Sequence, residues 1–184
     1  EYDAKATFFV LGVQLEKENY GEVIPRIIEE GHQIGNHSYS HPELLNADDQ
    51  TIIDEFSRTD SLLAAYGTYP TIVRFPYGDY TPEKVALTGR SNILWDNDSL
   101  DWEDGSTAEG ILNNISNDLE GGNIILMHDM YDSTVEALPQ RLQKLTDEGY
   151  QCVTLDEMIA SRGYTKRPGV TFLGFKQLNL DQGR

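Results

Sequence analysis

The strongest constraint on this chain is a repeating order. Short apolar, β-rich runs are each followed by a polar loop and then by a segment of helical period. Ala6 to Val10 is the first such run, and Val23, Ile24, Ile27 and Ile28 follow at helical spacing until Gly31. Gln33 to His37 is a second strand. Asp48 to Tyr66 is a long helix with Ile52, Ile53, Phe56 and Leu63 on one stripe and Gly67 after it. Thr71 to Phe75 is strand three, and Pro82 opens a short helix. Asn92 to Trp95 is strand four, Thr107 to Leu119 a helix, Asn123 to Met127 strand five and Thr134 to Glu148 a helix. Tyr150 to Leu155 reads as strand six and Thr154 to Ser161 as a short closing helix. Val170 to Phe175 is a candidate for one more strand. Alternation of this kind predicts an α/β fold, a parallel sheet covered by helices. With no repeat and no linker, residues 1–161 read as one domain and 162–184 as a C-terminal tail.

In such folds the working residues sit beyond the carboxyl ends of the strands. Strand two is followed by His37-Ser38-Tyr39-Ser40-His41-Pro42, and strand three by Arg74-Phe75-Pro76-Tyr77-Gly78. Strand four is followed by Asp96-Asn97-Asp98-Ser99-Leu100-Asp101-Trp102, and strand five by His128-Asp129. Three of the four histidines are therefore expected on one rim. His37 and His41, four apart beside a strand end, suit one divalent cation; two unrelated loop histidines are the alternative. His32 opens a strand and reads as structural.

Arg74 lies among Ile72, Val73, Phe75 and Pro76, where a lone buried charge is costly. It is expected to hold a carboxylate; a snorkelling surface arginine is the alternative. His128 emerges from Ile124-Ile125-Leu126-Met127, either as a satisfied core histidine or as a general acid or base that Asp101 orients. Trp102 suits stacking on a sugar ring, with core packing the competing reading. Cys152 lies in an apolar strand and reads as a small packed hydrophobe.

Composition excludes several classes. The net charge of −17 opposes a surface built for nucleic acid or for anionic membranes. A single cysteine leaves no disulfide framework and no cysteine zinc cluster. No apolar run is long enough to span a membrane, and no signal peptide is visible.

The blocks Ala4-Lys5-Ala6-Thr7-Phe8-Phe9-Val10-Leu11-Gly12, Gly35-Asn36-His37-Ser38-Tyr39-Ser40-His41-Pro42, Arg74-Phe75-Pro76-Tyr77-Gly78, Asp98-Ser99-Leu100-Asp101-Trp102 and Leu126-Met127-His128-Asp129 resemble, in order, those of the NodB-homology polysaccharide deacetylases, carbohydrate esterase family 4. Five ordered blocks are far more specific than any single one. The resemblance implies a distorted (β/α) barrel. It also implies a divalent metal, zinc first and cobalt, nickel or manganese as alternatives, held by His37, His41 and an aspartate. Arg74 would orient the catalytic base, the Tyr77 N–H would help hold the oxyanion, and Ser38 would brace the metal loop. Asp101 would tune His128 as general acid, and Leu126 would line the pocket for the acetyl methyl.

One departure stands out. The family's Thr-Phe-Asp-Asp-Gly block, which carries the base and the metal aspartate on a first strand, has no counterpart here. Asp181 is a poor imitation at the far end. The fold is thus expected to lack its first β/α unit, with an upstream fragment completing it. Residues 1–184 alone are expected to bind zinc weakly and release no acetate. The function implied is removal of N-acetyl groups from polysaccharide containing N-acetylglucosamine, peptidoglycan first, by an extracellular or cell-wall enzyme. Chitin-oligosaccharide deacetylation, acetyl-xylan ester hydrolysis, a different metal hydrolase and a catalytically incomplete glycan-binding module are the alternatives.

Overall fold

The computed structural model describes residues 2–115 and 118–175. Its elements run β1 (Thr7–Val10), α1 (Gly12–Leu15), α2 (Tyr20–Glu29), β2 (Gln33–Asn36), α3 (Asp49–Ala64), β3 (Ile72–Val73), α4 (Pro82–Leu87), β4 (Ser91–Ile93), β5 (Asn97–Asp98), α5 (Ala108–Asn114), β6 (Ile125–Leu126), α6 (Asp132–Asp147), α7 (Leu155–Ser161) and β7 (Thr171–Phe172). A single 3₁₀ turn, Pro76–Gly78, follows β3. Among the described residues every strand pairing is parallel, as the alternation predicts. Among the described residues no helix is long and apolar enough to cross a membrane.

The chain forms two compact units. The larger is Lys5–Leu94 with Thr154–Phe172. It holds a five-stranded sheet in the order β1-β2-β3-β4-β7. Phe9 pairs with Gly35 across β1 and β2, and a Cβ at Gly35 would meet the Phe9 ring at 2.5 Å. Glycine is required there because the ring occupies the space that a side chain would need. Helix α3 starts where the Asp48 carboxylate accepts the Thr51 N–H at 2.8 Å. It buries Ile52, Phe56, Thr59 and Leu63, spaced three and four apart. Leu44, Ile52, Phe56, Val73, Phe75 and Val85 form one core cluster, and Val10, Leu15, Ile24, Ile34 and Leu63 form another. Helix α7 opens with a reciprocal capping box between Thr154 and Glu157.

The smaller unit contains Trp95–Val153 and the described residues of both ends. Its β5 and β6 pair through Asn97 with Ile125 and Asp98 with Leu126. Helices α5 and α6 bury Ile111, Ile115 and Ala137 together.

Several expectations are corrected. Residues 150–154 form no strand, although their composition is β-rich. Instead the Tyr150 hydroxyl donates to the Leu119 carbonyl, and the Gln151 amide donates to the Asp3 carbonyl at 2.7 Å. Asn97 and Asp98, read as loop, form a strand. Within Val170 to Phe175 only Thr171–Phe172 is strand, and it joins the sheet edge beside β4. Helix α5 ends at Asn114, short of the Leu119 expected.

The clusters make a graded prediction. Phe56→Ala should lower stability by about 3–5 kcal/mol and Ile52→Val by about 1 kcal/mol. Urea midpoints should fall in that order with similar slopes; equal midpoints would remove α3 from the core.

Candidate active site

The sequence-predicted residues fall into two groups, one in each unit. In the larger unit, β2 delivers His37 and β3 delivers Arg74 beside it. The main-chain ladder continues past the strand ends, with the Arg74 N–H donating to the Asn36 carbonyl at 3.0 Å and the His37 N–H to the Val10 carbonyl at 3.0 Å. His37 Nδ1 lies 2.7 Å from the Arg74 carbonyl oxygen. A carbonyl only accepts, so Nδ1 carries the hydrogen, and in the neutral ring the lone pair lies on Nε2. The His37 and His41 rings meet edge to face at 4.8 Å, and His41 meets Tyr77 in the same way at 4.6 Å.

The loop carrying both imidazoles is heavily tied. Buried Asn36 accepts the Ser38 N–H at 2.9 Å, and Ser38 Oγ accepts the His41 N–H at 3.1 Å. Glu55 on α3 accepts the Tyr39 N–H at 2.9 Å, the Ser40 N–H at 2.8 Å and the Ser40 hydroxyl at 2.8 Å. Ser38 therefore braces this loop through the His41 N–H. Glu55 was not foreseen, because helical period alone does not say which surface carboxylate faces a neighbouring loop.

Arg74 is buried, which settles against a snorkelling side chain. Its Nε donates to the Ile93 carbonyl at 2.8 Å and its Nη2 to the Leu94 carbonyl at 3.1 Å, and the guanidinium carbon lies 4.1 Å from the Phe9 ring centre. Main-chain carbonyls and an aromatic face are thus among the contacts of this guanidinium. Burial pushes the Arg74 guanidinium down to about 9, still protonated at neutral pH. Tyr77 turns the chain through the left-handed region at φ 59° and leaves its ring exposed.

In the smaller unit, Asp101 and His128 form a dyad. Asp101 is 2 % exposed. One carboxylate oxygen is 2.7 Å from His128 Nδ1; the other accepts the His128 N–H at 2.6 Å and the Thr134 hydroxyl at 2.7 Å. Burial acts to raise the Asp101 carboxyl, but these hydrogen bonds from His128 and Thr134 outweigh it and hold the group below the usual carboxylate range. The His128 side chain is 34 % exposed, so it is reachable from solvent. Leu126 is buried on β6, and its carbonyl accepts the Ser99 N–H at 3.3 Å. Trp102 is 50 % exposed, which excludes the core-packing reading. His32, expected to be structural, accepts the Ala6 N–H on Nδ1 at 3.0 Å and lies at the opposite end of β2 from His37.

Backbone strain marks the same loops. Ser38, His41, Tyr77 and Leu100 are four of the five non-glycine residues with positive φ among those described. Each such residue costs about 1–3 kcal/mol and persists only where its surroundings over-determine it.

The imidazole pair is of the donor type that suits a borderline divalent metal, and the hydrogen bond on His37 Nδ1 fixes the tautomer that a ligand needs. The pair fits as two ligands of such a site, and among the described residues no group of three or more His, Cys, Asp or Glu is placed to hold a metal ion. Asp181 lies outside the described residues.

A family profile described as polysaccharide deacetylase matches residues 1–92, half of the chain. The chain belongs to the polysaccharide deacetylase family. It is 35 % identical over 159 residues to the peptidoglycan-N-acetylmuramic acid deacetylase PdaC of Bacillus subtilis, covering 86 % of this chain and 33 % of that protein. The chain therefore spans about a third of the length of that relative. A solved structure described as a T48 deacetylase with substrate matches with a TM-score of 0.86 at 34 % identity, covering 93 % of this chain and 84 % of the other. A family 4 acetyl xylan esterase from Clostridium thermocellum, in complex with a cobalt ion, matches with a TM-score of 0.87 at 29 % identity, covering 94 % and 86 %. The α/β fold is thus of the NodB type, although no closed sheet forms among the described residues. The expected upstream fragment finds no support in these comparisons.

Two predictions follow from the buried charges. Asp101 has its carboxyl depressed in the folded state. Its stabilisation is therefore present above the ordinary carboxylate value, about 3.9, and is lost as pH falls through the lower folded value. Urea midpoints of wild type and Asp101→Asn should differ most above the ordinary carboxylate value and converge as pH falls below it; a constant gap would contradict the assignment. Arg74→Lys should lower the melting temperature despite keeping the charge, since lysine lacks the planar fork that reaches both carbonyls. An unchanged melting temperature would show that the fork does not matter.

Proposed function

We propose that this domain is a metal-dependent hydrolase that removes N-acetyl groups from polysaccharide containing N-acetylglucosamine, with peptidoglycan the first-choice substrate and acetate the product. The observation that carries the reading is the His128–Asp101 dyad at 2.7 Å, its carboxylate further held by Thr134, in a chain of this family. An amide nitrogen leaves only when protonated, so the reaction needs a positioned acid. In this reading His128 is that acid: Asp101 holds Nδ1–H, which directs Nε2 to the task of delivering a proton to the leaving nitrogen.

His37 and His41 would hold the cation, with zinc first and cobalt, nickel or manganese as alternatives. When bound, a divalent cation polarises the scissile carbonyl and makes water a competent nucleophile near neutral pH. Ser38 and Glu55 keep the imidazoles in place, and Arg74 fixes the tautomer of His37 through its carbonyl. Arg74 would also orient the catalytic base, which is not assigned among the described residues. The Tyr77 N–H would donate to the developing oxyanion, a type of contact worth about 3 kcal/mol. Leu126 would line the pocket for the acetyl methyl, and Trp102 would stack on a sugar ring. A glycan polymer is the expected partner, with no role for nucleic acid given the net charge of −17. Action on peptidoglycan would require the protein outside the cell or in the cell wall.

Chitin oligomers and acetylated xylan remain alternative substrates, since the acyl-transfer chemistry is shared. A second reading, a glycan-binding module without catalysis, rests on the exposed Trp102 ring.

Acetate release from peptidoglycan and from acetylated glucosamine oligomers, with zinc and after chelation, tests the proposal. His128→Ala should lower turnover by about two to four orders of magnitude with metal content unchanged, whereas His37→Ala should lose the metal. Metal loss in His128→Ala would make that residue a ligand. Glycan binding with no acetate released under any metal would establish the binding module instead.

A further inference from the structure

The carboxylate of Asp98 is absorbed by none of the roles above, yet it gathers three N–H donors. The Leu100 main-chain N–H donates to Oδ1 at 2.9 Å. The Trp102 indole donates to the same oxygen at 3.4 Å, and the Trp95 indole donates to Oδ2 at 3.1 Å. Asp98 itself is fixed on β5 by its pairing with Leu126. Leu100, which the first of these bonds holds, has a left-handed backbone at φ 53° and sets the turn that carries Trp102 outward.

We propose that Asp98 is a positioning residue that holds the Trp102 indole as a preformed sugar-stacking face and braces it on Trp95. The inference rests on the reading of this domain as one that handles glycans. An indole that packs against a sugar loses water from around its N–H as well as from its ring. A donor left unpaired by that desolvation would cost about 1–3 kcal/mol, and a bond to Asp98 already in place removes the penalty. Holding the ring before the ligand arrives also lowers the ordering cost of binding. The long 3.4 Å bond leaves room to shorten as water is excluded.

The two oxygens divide the work, and this makes the role separable from simple turn formation. Asparagine at position 98 has one acceptor oxygen. The shorter Leu100 bond keeps that oxygen where Oδ1 lies, so Trp102 retains its partner while Trp95 faces an amide N–H₂ and loses its own. Alanine releases both indoles.

The chain carries two tryptophans, both on this carboxylate, so its intrinsic fluorescence reads the cluster directly. Emission spectra and acrylamide quenching are recorded for wild type, Asp98→Ala, Asp98→Asn and Trp102→Phe. Each is then titrated with a β-1,4-linked N-acetylglucosamine tetramer, and acetate release is followed for the KM and kcat split. Asp98→Ala should shift emission to the red, increase quenching and weaken tetramer binding roughly tenfold, raising KM with little change in kcat. Asp98→Asn should shift emission yet bind the tetramer within about threefold of wild type, about 0.6 kcal/mol. Wild-type emission and affinity in Asp98→Ala would overturn the proposal and leave the deacetylase reading standing. Equal weakening in Asp98→Asn and Asp98→Ala would overturn the division between the oxygens and with it the positioning role. Wild-type affinity in Trp102→Phe would remove the sugar face itself, a failure visible separately from any change in the emission of the Asp98 variants.

Discussion

A buried amide that has to be satisfied on every side governs the larger unit. Asn36 ends β2 with no exposure to solvent. Its Nδ2 donates to the Phe56 carbonyl and to Asp60, each at 2.8 Å, and its Oδ1 accepts the Ser38 N–H. Its main-chain carbonyl accepts the Arg74 N–H. Leaving any one of these groups unpaired in the interior costs about 1–3 kcal/mol. The residue therefore ties four things together: its amide fixes the end of β2, the left-handed turn at Ser38 and the approach of α3, and its main-chain carbonyl carries the ladder on to Arg74. Asp60 is held in turn by Arg90, so the helix contact is itself anchored. The histidine loop inherits its shape from this network before any ligand is considered.

Two buried charges then set the imidazoles. Arg74 is an interior cation satisfied by carbonyls and by a ring face that exists because Gly35 leaves room for Phe9. Its own carbonyl takes the His37 Nδ1 hydrogen. Asp101 is an interior anion satisfied by a hydroxyl, a main-chain N–H and an imidazole. In both units the expense of burying an ion is offset by hydrogen bonds, and the same residue orients the neighbouring histidine, Arg74 through its main-chain carbonyl and Asp101 through its carboxylate.

Much of this was legible in the residues themselves. The histidines, the arginine and the polar blocks follow strands because a parallel sheet exposes its carboxyl ends, and the helix starts read at Asp48, Thr107 and Thr154 fall on the observed N-caps. Pairing was not legible. Residues 150–154 have strand composition but form no ladder, while Asn97–Asp98 pairs with β6 despite a loop-like sequence. A strand is defined by its partner, and partners are distant in sequence. The same limit hid Glu55, Thr134 and Asp98. Sequence shows that each is polar, but which N–H or O–H each accepts is decided by tertiary approach. Arg74 shows it from the other side: its apolar neighbours imply burial, yet they do not reveal that carbonyls and a phenyl ring receive the guanidinium.

The partner of each Nδ1 separates two histidines that composition cannot distinguish. His37 gives its Nδ1 hydrogen to a carbonyl, a dipole without net charge, so the ring can stay neutral with its lone pair on Nε2. That is the electronic state a cation needs from an imidazole. His128 gives its Nδ1 hydrogen to a carboxylate, and a proton added at Nε2 leaves that bond intact and places the new positive charge beside a fixed negative one. That is the state an acid needs before it delivers a proton. The roles given to the two histidines in the proposed reaction agree with these partners: a carbonyl behind His37 suffices to fix a ligand's tautomer, and the carboxylate behind His128 steadies the charge an acid carries before it gives up its proton.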